Sequence, residues 1–306
     1  MRLNLHGEVA RVNGVNGDHV RIWRRRRGPH ERDSRAMMPT LTTYWIWLLG
    51  ASLAFVVAER LMPRRPQQRL LRRGIWTDVA YVVLNGHFIG IALALAAAPI
   101  ERAFRALLDG AGVTIDVALA RSWPFAVQLV VAFVALDLVQ WCIHNMLHRV
   151  PWLWEIHKVH HSIEELDWLG SLRFHWGEAV VYKTLQYVPL ALLGFDPLAL
   201  FVIAVVGTII GHYNHANLRI DLGPLKYVLN GPEMHQWHHV HPDAGPPNKN
   251  FAINLALWDW IFGTAFLPND KRAPARLGFI DVERFPRALP MQMLWPLPAL
   301  ARRHRS

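Results

Sequence analysis

Thiol is almost missing from this chain: Cys142 is the one cysteine in 306 residues. A disulfide framework is therefore excluded, and so is a thiolate metal cluster. Any metal must be held through nitrogen and oxygen. Charge is scarce as well, at 18% of residues against roughly 25% in soluble domains, while 52% of residues are hydrophobic. That balance points to a membrane protein. The charge present leans basic, with a formal net charge of +10. The arginines crowd the N-terminal tail and short loops beside apolar runs, which suits an anionic lipid surface and not a nucleic acid. Internal repeats and low-complexity segments are absent.

Residues 1–36 also lack any apolar period. They carry Arg24-Arg25-Arg26-Arg27 but neither a signal-peptide core nor a small-residue cleavage site. They read as a basic, disordered tail. Met37 and Met38 stand just before the first apolar run, so translation is expected to begin there and the tail to be start-site overshoot.

From residue 37 to 306 the chain reads as one membrane domain. Apolar runs cover about 41–58, 75–100 and 123–143, each long enough for ~30 Å of hydrocarbon. Two shorter runs within 179–211 flank Gly194-Phe195-Asp196-Pro197, a turn signal, and read as a helical hairpin. Fourteen tryptophans fit an interfacial belt; those at 152, 154, 168 and 176 would equally border a channel mouth. Short arginine-rich loops stay in the cytoplasm, so the loop 60–73 and the polar stretch 144–178 are expected there, with 101–122 outside. The fold class that follows is all-α: a polytopic membrane helical bundle with a cytoplasmic, histidine-rich helical cap.

Seventeen histidines are present, and their spacing carries the most information. His144 and His148 form H-x-x-x-H. His157, His160 and His161 form H-x-x-H-H, a pattern repeated by His235, His238 and His239. On a helix, positions i, i+3 and i+4 share a face, so each triplet aims three imidazoles into one cavity. A single zinc needs about four ligands, and these motifs, with His212 and His215 nearby, exceed that. The count fits two metals. A zincin needs H-E-x-x-H, but Asn145 stands where that Glu would be. Ferritin-like di-iron sites use E-x-x-H pairs, which are absent. An oxygen-activating iron pair is the reading that remains, with a membrane metal-binding or transport protein lacking oxygenase activity as the alternative.

The run from Asp137 to Ser162, DLVQWCIHNMLHRVPWLWEIHKVHHS, resembles the sterol desaturase and fatty acid hydroxylase superfamily. So do Arg173-Phe174-His175, His215-Ala216-Asn217-Leu218, Gly223-Pro224-Leu225, the run from Asn230 to His239, Asn248 to Phe251, and Trp258 to Thr264. The likeness covers about residues 70 to 295. It implies a membrane oxidoreductase with two non-haem irons, using O2 and two electrons to hydroxylate or desaturate a membrane lipid such as a sterol or fatty acyl chain. The ligands it implies are His144, His148, His157, His160, His161, His215, His235, His238 and His239, with His212 a candidate tenth. No cytochrome b5-like segment is fused, so a separate donor, cytochrome b5-like or ferredoxin-like, is expected. Two departures stand out: Asn145 replaces a common Arg, and Trp176 replaces the Pro of an R-x-H-P-x-E pattern.

Three further residues are candidates for supporting the centre. Asp137 lies inside an apolar run, where a carboxylate costs at least ~2.5–3.5 kcal/mol, and His144 follows seven residues later on nearly the same face. It would accept that ligand's outward N–H, fixing the tautomer, or reach headgroup water. Asp259 would support the second triplet or cap a turn. His175 would line the substrate path or sit as a polar residue at a helix start.

Overall fold

The computed structural model describes residues 8–13, 19–24, 41–89, 119–270 and 272–297, with a few positions between 99 and 112. The chain divides into two compact units, Met1–Leu41 and Thr42–Ser306. In the first, β1 (Glu8–Asn13) pairs antiparallel with β2 (His19–Arg24), Val12 opposite Val20 and Ala10 opposite Ile22. This departs from the irregular tail read from the sequence. Its cause is visible in the letters: Val20 and Ile22 stand at alternate positions on either side of Arg21, and Asn16-Gly17 is a hairpin signal. Residues 25–40, with Met37 and Met38, lie outside the described residues.

Among the described residues the regular elements of the second unit are helices, joined by irregular segments that include two isolated bridges. The run at 41–58 becomes α1 (Leu41–Leu61). The run at 75–100 opens as α2 (Ile75–Val83) and widens into a π turn over Leu84–Ile89; residues 90–98 lie outside the described residues. Within this turn Asn85 Nδ2 donates to Leu172 O at 2.7 Å and Phe174 O at 2.8 Å, tying it to the 172–174 segment. Next come α3 (Phe125–Arg149) and α4 (Pro151–His161), separated only by Val150. Pro151 at the first position of α4 suits a helix start, because proline's missing N–H has no partner to lose there.

The expected hairpin is present as α5 (Trp176–Leu192) and α6 (Pro197–His215). Gly194 takes a positive φ of 77° in the turn, and Asp196 caps α6 by accepting from Leu198 N at 2.8 Å. Ala132, Leu136, Leu190, Phe195 and Ile203 pack the interior between α3 and the hairpin. Short helices finish the chain: α7 (Pro232–His238), α8 (Leu257–Ile261) and α9 (Leu289–Met293).

Among the described residues, α3 and α6 are long and apolar enough to cross a membrane. Only 28% of each apolar stretch is buried, so most of that surface faces outward, including Val127, Val130, Val131 and Val134 of α3. An outward apolar face on so long a helix needs lipid. The protein is a membrane protein.

The arginine-rich loop is less open than its composition implied. Arg72 is buried in a fork on Asp167, with both bonds at 2.5 Å, and lies 2.7 Å from Asp78. Arg173 binds the same Asp78. Glu59 of α1 accepts from Trp168 N at 3.0 Å and Asn217 N at 2.8 Å. These buried contacts tie α1, α2 and the end of α6 to the turn at 167–173, which carries part of the histidine site.

Candidate metal centre

Helix α3 runs on past the apolar stretch, so that His144 and His148 ride on its last two turns. The last turns of α4 carry His157, His160 and His161. His215 ends α6, while His235 and His238 lie on α7, with His239 at its C-cap. Four helix ends thus meet, and the nine histidines converge in two groups. One holds His144, His148, His157, His161 and His238; the other holds His160, His215, His235 and His239. Within each group the candidate ligand atoms lie within 4.8 Å of one another. All are buried except His148, which is partly so.

The ring nitrogens face one another in a way that neutral imidazoles alone would not favour. His235 Nε2 lies 3.0 Å from His215 Nε2, and 3.2 Å separates the Nε2 atoms of His215 and His160, His239 and His235, and His144 and His157. Bonds of about 2.1 Å to a shared ion put neighbouring ligand nitrogens about 3.0–3.4 Å apart. The observed spacing fits metal binding in both groups.

Several outward nitrogens are held. His144 Nδ1 donates to Phe251 O at 2.7 Å, His160 Nδ1 to Arg173 O, His238 Nδ1 to Lys249 O and His215 Nδ1 to Gly211 O, each at 2.9 Å. His148 Nδ1 lies 3.2 Å from Asn248 Oδ1. Donation from Nδ1 leaves the Nε2 lone pair pointing inward, the tautomer a metal ligand needs. Burial also lowers the pKa of His157, His161, His235, His238 and His239 well below the usual value, and that of His160 to about 4. Neighbouring imidazoles add to the effect for the first five. The rings are neutral at physiological pH and free to bind.

His212 is not in either group. Its Nδ1 sits 2.6 Å from Ser171 Oγ and its ring packs edge-on against Phe55 and Trp168. His212 stands about 60° round α6 from His215, and there its ring meets α1 and the turn at 168–172.

The expected supports act differently from their sequence reading. Asp137 does not reach His144. Its Oδ1 accepts from Asn254 N at 3.1 Å and Asn254 Nδ2 at 2.7 Å, and its Oδ2 from Leu255 N and Trp258 Nε1, both at 2.9 Å. It clamps the 254–258 segment to α3. Asp259 does not touch the second triplet either. It accepts from Phe251 N at 2.9 Å, Ala252 N at 2.8 Å, Trp141 Nε1 at 3.0 Å and Thr264 Oγ1 at 2.6 Å. Asp259 therefore holds the peptide whose carbonyl, at Phe251, receives His144. His175 lies outside both groups and joins α5 to the C-terminal segment, through Nε2 to Met293 O at 2.9 Å.

Two supports went unrecognised. The segment 248–251 supplies the partners of His148, His238 and His144, with Asn248 and Asn250 at positive φ of 58° and 57°. Asparagine tolerates that left-handed conformation better than most residues, and the Asn-Lys-Asn-Phe letters were the available signal. Glu178, buried in the first turn of α5, places Oε1 3.0 Å from His157 Nδ1.

A cavity of ≈ 180 Å³ lies between α3, α5 and α6. Phe133, Leu136 and Ile203 give it apolar walls, and it reaches His144, His157, His160 and His215. Both groups are thus accessible from within the apolar helices. Trp154 lies on another side, with its ring 5.0 Å from His148 and 5.2 Å from His161. Trp168 is buried, so the four tryptophans do not form one mouth.

Two histidine groups at helix ends beside a partly apolar cavity form a site that could hold metal ions. The fatty acid hydroxylase model matches residues 129–264, which span α3 to α8 and all nine histidines. Ornithine lipid hydroxylase OlsE of Rhizobium tropici is 30% identical over 227 residues, 73% of this chain and 68% of that protein. Alkylglycerol monooxygenase of Homo sapiens is 31% identical over 147 residues, 46% of this chain and 31% of that protein. Methylsterol monooxygenase 1-1 of Arabidopsis thaliana is 24% identical over 139 residues, 45% of this chain and 46% of that protein. No solved structure matches. The chain belongs to the fatty acid hydroxylase family, and its class is that of oxidoreductases acting on lipids.

Proposed function

We propose that the two histidine groups each hold one iron ion and that the protein inserts oxygen into, or desaturates, a C–H bond of a membrane lipid. The observation that carries this reading is the cavity that joins an apolar three-helix wall to histidines of both groups. Iron supplies O2 reduction; the balance for hydroxylation is R–H plus O2, two electrons and two protons giving R–OH and water. The electrons come from a separate donor of cytochrome b5-like or ferredoxin-like type.

The chain's own residues supply position and exclusion. The carbonyls of Phe251, Arg173, Lys249 and Gly211 lock four imidazoles with Nε2 inward, which removes reorganisation on metal binding. Phe133, Leu136 and Ile203 admit an alkyl chain and exclude water from the histidines. The second unit is proposed to cross the membrane more than twice, with the histidine ends of α3 and α6 on the cytoplasmic side beside the arginine-rich loop 60–73. The names of the relatives favour an amphiphilic lipid, either an ornithine lipid or a glyceryl ether.

Comparison of total lipids from a deletion strain complemented with wild type or with His160→Ala tests this. A lipid bearing one more oxygen, or two fewer hydrogens, is expected only with wild type. Identical lipids in both strains under aerobic growth contradict it.

A further inference from the structure

A cavity built for an alkyl chain alone would have apolar walls throughout. This one has a polar stripe. Glu178, Tyr182 and Gln186 line it and are spaced i, i+4, i+8, so they lie along one face of α5. Across from them on α3, Gln140 lines the same cavity, and Gln186 Nε2 donates to Gln140 Oε1 at 3.3 Å. Lys183 also lines it and rests its ammonium 5.0 Å from the centre of the Tyr187 ring. The stripe begins at the histidines, because Glu178 Oε1 faces His157.

Glu178 is 3% exposed, and its second oxygen, Oε2, is buried without a hydrogen-bond partner among the described residues. A buried acceptor left unmatched costs about 1–3 kcal/mol, more if charged. Such a group calls for a physical account, and at a cavity wall a bound ligand provides one. Oε1 is directed at His157, which leaves Oε2 for the cavity's occupant.

We propose that this stripe is a subsite for the polar end of the lipid, whose hydroxyl or amide N–H donates to Glu178 Oε2 while Gln140 and Gln186 bind a neighbouring polar group. The inference rests on the lipid-oxidising reading above and narrows its substrate class. Docking a donor at Glu178, beside His157, holds the carbons next to the polar group against the histidines. The alkyl tail then runs outward past Phe133, Leu136 and Ile203. Oxidation falls within a few bonds of the polar group, not at mid-chain or at the methyl end. Glu178 is a specificity and positioning residue in this scheme.

The test uses metal-loaded protein in nanodiscs and two matched probes, hexadecan-1-ol and 1-methoxyhexadecane. The ether keeps the oxygen and loses the donor. Binding is read by displacement of labelled hexadecanol at equal mole fraction in the bilayer. Wild type should prefer the alcohol by about fivefold, the net worth of one hydrogen bond. Glu178→Gln and, separately, Gln186→Leu should each cut that preference at least threefold. Gln186→Leu should keep its full metal content, which separates the subsite from a collapsed centre. Equal affinity for the two probes in wild type, no measurable binding of either, or an unchanged preference in both variants overturns the subsite. Turnover separates the two readings. Preferential binding with no oxidation of any lipid would contradict the proposed function and leave the subsite standing. Oxidation of both probes alike, at mid-chain, would do the reverse.

Discussion

Replacing Asp259 by asparagine perturbs the centre without touching any histidine. Three donors meet Oδ1, from Trp141, Phe251 and Thr264, while Oδ2 meets only Ala252 N–H at 2.8 Å. The introduced amide would therefore turn its NH2 toward Ala252, where donor faces donor. One bond to a charged acceptor is lost, worth about 1.5–3 kcal/mol, and a buried N–H is left unmatched at about 1–3 kcal/mol. Partial relaxation of the loop brings the expected loss to roughly 2–5 kcal/mol. Burial raises the Asp259 pKa while these four donors pull it back down, so it is the carboxylate they favour. The strain reaches His144 through the Phe251 carbonyl, and supports of this kind typically change metal affinity by about 10–100-fold. The assay is chelator competition with metal counted per chain. Asp259→Asn should release one metal at least about tenfold more readily than wild type, with the other less affected. Unchanged release of both metals, together with an unchanged unfolding midpoint, would refute the chain of reasoning from Asp259 to His144.

His212→Asn should keep full metal content, since His212 faces Ser171 and two aromatic rings, whereas His235→Ala should lose metal from the four-histidine group; elemental analysis of both variants checks this. Asn250→Ala removes two buried donations, to Met234 O at 2.9 Å and Phe266 O at 2.7 Å, from a residue at positive φ, and should destabilise by about 2–4 kcal/mol on a denaturant curve. Acid should empty the site. A histidine whose folded pKa is depressed binds its proton only in the unfolded state as pH falls below about 6.5. Stability of the metal-free protein should therefore decline from about pH 6.5 toward the His160 value of about 4; stability that is flat or rising over that window, followed by tryptophan fluorescence, would contradict the burial of neutral rings.

Short-range chemistry was legible in the letters, and long-range partners were not. The spacing of His157, His160 and His161 on one helix face follows from helix geometry alone, and the structure brings all nine motif histidines together. The α5–α6 hairpin was announced by Gly194 and Pro197, residues whose backbone limits are intrinsic. Asp137 shows where such reasoning stops. Its place seven residues before His144 suggested a partner on the same helix, yet its four donors come from 117 to 121 residues away. A helix presents a face, but only tertiary packing decides what meets it. His212 shows the same limit: it shares a broad face of α6 with His215, yet Ser171, Phe55 and Trp168 are what its ring meets. The β1–β2 hairpin was hidden because a run of arginines dominates the tail's composition and masks a short period-two pattern.

The central claim is that nine histidines hold two irons. Its most direct test is the metal content of protein purified from iron-replete cells, alongside His160→Ala. About two irons per chain are expected in wild type, with His160→Ala losing at least one. A single zinc without iron in wild type, or two irons retained by His160→Ala, would contradict the account.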